Sequence, residues 1–201
     1  MSRYKPGDKD KTRERILKAA SRIFRRKGVS STSVADVMDA ADLTVGGFYK
    51  HFGSKDALFA EAVTTALASS RKLTESVDPS IRGDDWLRLV AQVYLTPAHR
   101  DNPARGCALP ALSGDISRAD ASVKKAFEEG LELYIQDAIQ RLDGSPQENR
   151  RRAWAYWATL MGGLLLSRSV ATDTMSNEIL EACRADYSES GSKSKVSTRY
   201  S

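Results

Sequence analysis

Cysteine is scarce in this 201-residue chain, with only Cys107 and Cys183, too few for the disulfide framework of a small secreted scaffold. Histidine is just as scarce. His51 and His99 lie in unrelated segments, so no metal-ligand spacing arises. The longest nearly apolar run, residues 158–166, falls far short of the roughly 20 residues that a membrane span needs. The opening MSRYKPGDKDKTR has no apolar segment behind its charges and does not read as a secretory signal. A phosphate-binding glycine loop and a nucleophile elbow are both missing, and Cys107 with His99 has no acidic third partner at a helpful spacing. Nor is there an Asn-Gly hairpin, a convincing strand or an internal repeat. The expectation is a soluble, cytoplasmic, all-α protein that is not an enzyme, holds no metal or cofactor and engages no membrane.

What is present is unevenly distributed. The net charge is +5, yet residues 1–55 carry 13 Lys/Arg against 6 Asp/Glu, which leaves the remainder slightly acidic. A basic head on a neutral body suits polyanion binding, although a solvated basic helix face would look the same. Helical periodicity runs through most of the chain. Residues 12–27 put Ile16, Ala20, Ile23 and Phe24 on one face, and Gly28 supplies a stop. Ser33 and Asp36 have capping-box spacing ahead of a short helix over 34–40. Residues 41–43 read as a tight turn, and Thr44 is placed to cap a second short helix running to His51. Ser54 then caps a long helix from Lys55 to about Thr74. Further helices are expected from Asp84 or Asp85 to about Leu95, then over 107–118, 121–142, 147–170 and 174–186, with 96–106 as loop.

Two short helices joined by a tight turn and preceded by a basic helix form a helix-turn-helix pattern. The adjacent Gly46 and Gly47 cost roughly 1 kcal/mol each relative to alanine in a helix. Close approach of the backbone to bases or phosphates would account for them, and a frayed turn is the plainer alternative. The stretch TSVADVMDAADLTVGGFYKHFGSKDALF, within residues 12–62, resembles the DNA-binding signature of TetR/AcrR-type regulators. The Phe-Tyr-Lys-His-Phe and Ser-Lys pieces at their spacing carry the likeness. Asp42 departs from the usual glycine at a turn position that calls for positive φ, which aspartate tolerates.

The resemblance implies an N-terminal three-helix DNA-binding domain over 1–55, a helical effector-binding and dimerisation domain over 56–187, and a tail over 188–201 whose six serines suggest disorder. It further implies DNA contacts from Ser33, Thr44, Val45, Gly46, Tyr49, Lys50, His51 and Lys55. Chemistry agrees residue by residue. Thr44 offers a hydroxyl and helix N-terminal amides to phosphate, Val45 an apolar contact to a base, and Tyr49, Lys50, His51 and Lys55 longer polar reach. Phe48 and Phe52 plug the small core instead. The body is expected to pair two copies through residues 147–170 and 174–186, where AWAYWATLMGGLLL is apolar on nearly every face, with a buried monomer core as the alternative. Candidate contacts for an unidentified small-molecule effector are Trp86, Tyr94, Cys107, Phe127, Tyr134, Trp154, Trp157 and Met161, each also readable as ordinary core. Were Cys107 to sit at a helix N-terminus beside Arg105, its thiolate would be stabilised and open to electrophiles; a small buried thiol is the other reading. The expected function is a repressor of a palindromic operator, released by an effector, with a non-specific architectural DNA binder as the alternative.

Overall fold

The computed structural model describes residues 8–187, and the expected disordered tail lies outside them. The described residues are helical, without strands. The order is α1 (Asp8–Lys27), α2 (Val34–Ala40), a short 3₁₀ helix (Val45–Lys50), α3 (Lys55–Glu75), α4 (Gly83–Tyr94), α5 (Pro97–Arg100), α6 (Ala108–Ser117), α7 (Ala121–Arg141), α8 (Pro146–Ser169) and α9 (Asp173–Ala185). Among them, no helix is long and apolar enough to cross a membrane.

The head forms where the pattern demanded it. Ile16, Ala20, Ile23 and Phe24 of α1 are buried, and Gly28 ends the helix at φ 78°, its N–H donating to the Phe24 carbonyl at 2.9 Å. The capping box at α2 is complete: the Asp36 amide donates to Ser33 Oγ at 3.1 Å, and the Ser33 amide donates to Asp36 Oδ2 at 2.7 Å. Asp42 takes φ 52°, the left-handed conformation expected of the turn. The second short helix departs from an α-helix. It is wound as a 3₁₀ turn, and Thr44 occupies its N-cap without a side-chain hydrogen bond. Six residues with two adjacent glycines give an α-helix little propensity or length to propagate.

The long α3 joins head to body, packing against α1 along one part and α7 along another. Its buried Leu58, Phe59, Ala62, Val63, Ala66 and Leu67 make one core continuous through both. The segment expected to be loop throughout, 96–106, contains α5: Thr96 caps it by accepting the His99 amide at 3.1 Å, and Pro97 stands in its first turn. The prolines mark a helix start here as well as loop. Arg168 of α8 pins this segment, donating to the carbonyls of Arg100 at 2.9 Å and His99 at 2.8 Å.

Candidate functional site

The 3₁₀ helix has two opposed faces. Phe48 is fully buried and Phe52 nearly so, their rings stacked 5.8 Å apart. They anchor the element, as their spacing suggested. On the other face, Val45 is 48% exposed and Tyr49 72% exposed, the Tyr49 ring touching Phe48 edge-on at 5.1 Å and leaving most of its surface to water. Thr44 and Lys50 are exposed as well. A Cβ at Gly46 would meet nothing within 4 Å, so the backbone there is open to approach. Because Thr44 spends no hydroxyl on capping, that group is available outward.

Three other expected contacts are partly engaged inside the protein. Ser33 Oγ is used by the capping box and also donates to Asp36 Oδ2 at 2.6 Å. Lys55 is half-buried, its Nζ donating to the Val29 carbonyl at 2.6 Å, so it holds the α1–α2 turn onto α3. His51 is half-buried with Nδ1 unpartnered among the described residues. Burial, followed by the nearby charges of Lys9, Arg13 and Lys50, keeps its imidazole below the ordinary range and hence neutral. Around the element, Arg13 lies 4.7 Å from the centre of the Phe52 ring and pairs with Glu61 of α3.

Sequence reasoning missed the junction between head and body. Arg25 is buried near the end of α1, and its Nη1 donates to the Gly106 carbonyl at 2.8 Å while Nε donates to Ser21 O at 3.0 Å. Asp115 of α6 accepts the Val29 amide at 3.0 Å. The backbone of Val29 is therefore held on both its N–H and C=O sides by carboxylate and ammonium groups from different helices. No periodicity could have signalled this, since both are charged residues that would ordinarily face water.

In the body, the aromatic candidates do meet. Trp157 stands edge-on to Tyr94 and Tyr134 at ring separations of 5.8 and 5.0 Å, and Tyr156 links it to Trp86. Cys107 lies against the Tyr94 and Tyr134 hydroxyls. The Tyr134 hydroxyl donates to Leu67 O at 3.3 Å, while Trp157 Nε1 has no hydrogen-bond partner among the described residues. Phe127 and Met161 are half-buried at the rim of the core. Trp154 is a correction: it is not core-facing but 40% exposed, with the Arg150 guanidinium 5.7 Å from its ring. A helix apolar on nearly every face leaves its orientation to its neighbours, and α7 and α9 claim the other sides of α8.

Cys107 does stand at a helix N-terminus, as the N-cap of α6, yet without an activated thiolate. It is 2% exposed, and burial pushes its thiol up from the usual range. Arg105 is exposed and does not offset that cost. His99 explains the local geometry. Its Nε2 accepts the Cys107 amide at 2.7 Å and its Nδ1 meets the Tyr94 carbonyl at 2.6 Å, so a neutral ring protonated at Nδ1 satisfies both. Burial holds that ring below the ordinary imidazole range. Beside this group opens a cleft of about 520 Å³, and of the eight effector candidates only Cys107 lines it.

Residues 16–62 match the sequence model described as "Bacterial regulatory proteins, tetR family". The HTH-type transcriptional regulator AcrR of Shigella flexneri is 43% identical over 61 residues, 30% of this chain and 28% of that protein. An uncharacterised HTH-type regulator of Bacillus subtilis, YdgC, is 41% identical over 66 residues, covering 33% of this chain and 34% of the relative. The alignments thus span about a third of these relatives' length. Whole-chain likeness comes from solved structures. A TetR-family regulator from Cytophaga hutchinsonii superposes with a TM-score of 0.73 at 21% identity, covering 92% of this chain and 96% of that one. The reduced form of NemR from E. coli gives 0.71 at 20% identity, covering 89% and 95%. The head thus carries the tetR-family sequence signature over residues 16–62, and the chain shares its fold with solved TetR-family regulators.

Proposed function

We propose that this protein is a sequence-specific DNA-binding transcriptional regulator, a repressor that a small molecule releases from a palindromic operator. The observation that carries the reading is the outward face of the 3₁₀ helix, where Val45 and Tyr49 stand exposed beside an unobstructed Gly46. Apolar and phenolic groups held in water on a rigid support are costly unless something covers them, and the major groove takes a short helix of this size. The head of residues 1–55 delivers that face, Ser33, Thr44, Lys50, His51 and Lys55 complete the contacts, and residues 56–187 form the responding body.

One such helix reads few bases, so the operator calls for two copies. Trp154, Leu165 and Leu166 of α8 and Met175 of α9 are exposed apolar groups that a partner copy would cover. Likeness of the head to the "Probable acrEF/envCD operon repressor" of Escherichia coli, 43% identical over 51 residues, supports repression. Release would follow from a ligand favouring a body conformation that changes the spacing of the two recognition helices. An electrophile acting at Cys107 would first need that thiol uncovered.

The test is selection of bound fragments from the source genome by the purified protein, with Tyr49→Ala/Lys50→Ala as control. Both side chains are exposed, so the variant keeps its fold. Recovery of one or a few palindromes, lost in the variant, is the expected result. Fragments with no shared sequence, bound with a steep salt dependence, would instead mark an architectural binder.

A further inference from the structure

Two clefts away from the recognition helix meet at Ser69 and Lys72 of α3. The larger, about 520 Å³, runs between α3, α4 and the segment around α5. Its apolar wall includes Leu73, Val93, Ala98 and Cys107, and Arg105 stands at its edge. The smaller, about 330 Å³, lies between α1 and α3 and is lined by Lys18, Arg22, Arg25 and Lys72. Neither lining includes an aspartate or glutamate. Lys18 is paired with Glu14 at 2.6 Å, and Arg25 is spent on two carbonyls. Arg22, Lys72 and Arg105 have no ion pair and no side-chain hydrogen bond among the described residues, although most of the body's arginines do, as in Arg71–Asp137 and Arg150–Glu132.

We propose that this joined groove binds an anionic amphiphile, a small organic molecule with a carboxylate or phosphate head and an aliphatic body. The head rests among Arg22, Lys72 and Arg105, and the body lies along Leu73, Val93 and Ala98 as far as Cys107. The volume is that of a small-ligand site. Concave walls of one charge sign focus potential on the groove, and mutual repulsion of unpaired cations is relieved only when an anion enters. Arg25 feels that repulsion: besides burial, the charge of Arg22 lowers its pKa. The apolar wall gives the remainder of the molecule its hold, at about 25 cal/mol per Å² covered.

The position also suits regulation. Arg25 of the head donates to Gly106 at the floor of the larger cleft, so a ligand wedged there presses on the same backbone that ties α1 to the body. The proposal names the ligand class of the ligand-responsive regulator proposed above and rests on that reading.

The experiment is isothermal titration of the full chain, free of DNA, with decanoate, decyl phosphate and decanol. Both anions are expected to bind at least tenfold more tightly than decanol, and Lys72→Ala/Arg105→Ala is expected to remove that preference without changing Tm. Equal affinity for decanol, or anion binding unchanged in the variant, would overturn the proposal. So would absence of binding by both anions. Loss of operator affinity in the ligand-free variant would assign these cations to the DNA backbone and overturn it too. None of these outcomes touches the operator selection, so the DNA-binding reading stands or falls separately.

Discussion

Gly46 in the head and Gly163 in the body occupy opposite kinds of place. Gly46 and Gly47 lie in the 3₁₀ helix Val45–Lys50, where an added Cβ meets nothing at Gly46 and only the Met38 methyl, at 3.7 Å, at Gly47. Gly163 in α8 is closed in: its Cβ would lie 2.8 Å from Cys183 Sγ, 3.1 Å from Cys183 Cβ and 3.3 Å from Leu95. Gly163 permits close packing of α8 on α9 within one chain, whereas its neighbour Gly162 meets nothing within 4 Å. Gly46 likewise has no internal reason to be small. A backbone left open in this way is what the proposed approach to DNA requires.

The contrast breaks most severely on the inner side of the recognition helix, where Phe48 is as buried as anything in α8. Phe48→Ala should cost about 3–5 kcal/mol of stability, read by urea denaturation, and abolish DNA binding through the loss of the head. On the outer side, Gly46→Leu should leave the melting temperature unchanged or raised while operator affinity, measured by fluorescence anisotropy, falls at least about a hundredfold, some 2.7 kcal/mol. Unaltered affinity would show that the open backbone does not approach DNA. Gly163→Val should do the reverse, with about 1–3 kcal/mol of stability lost on thermal melting and operator affinity of the folded fraction kept. Cys183→Ala should recover part of that loss by vacating the position of the clash.

The smallest effect distinguishes the regions by pH. His51 in the head and His99 in the body both have imidazoles held below the ordinary 6.5. The unfolded chain therefore takes up protons first as pH falls, so stability is full above about 6.5 and declines as pH drops from there towards the folded values. His51→Gln should remove only its own share of this acid loss, read from urea midpoints at successive pH values. His99→Gln should remove the rest and lower stability at neutral pH as well, because the Cys107 amide and Tyr94 carbonyl lose their common partner. An unchanged acid profile in both variants would show that other groups govern it.

Much of the head was legible because its devices are local. A capping box needs residues three apart, and a left-handed turn needs a residue such as Asp42 that tolerates it, so Ser33–Asp36 and the tight turn could be read directly. Long amphipathic helices in the body declared themselves through period, and most of their ends lie within a residue or two of expectation. What failed depended on distant partners. Trp154 and Trp157 sit in the same apolar run, yet one faces water and the other the core. Cys107 has the sequence neighbours of a reactive thiol, yet burial among Tyr94 and Tyr134 raises its pKa.

Local chemistry in the chain thus determined an all-helical protein and the capped helix-turn-helix, since propensity, caps and turns act over a few residues. Only the tertiary structure decided that Arg25 would reach Gly106, that Asp115 and Lys55 would hold Val29 between them, and that Lys72 and Arg105 would share one groove without an acidic neighbour. Those pairings join residues up to 86 positions apart. Which cations find a carboxylate and which do not is settled by how the helices pack, because a charge senses what lies within a few ångströms of it and not what precedes it in the chain.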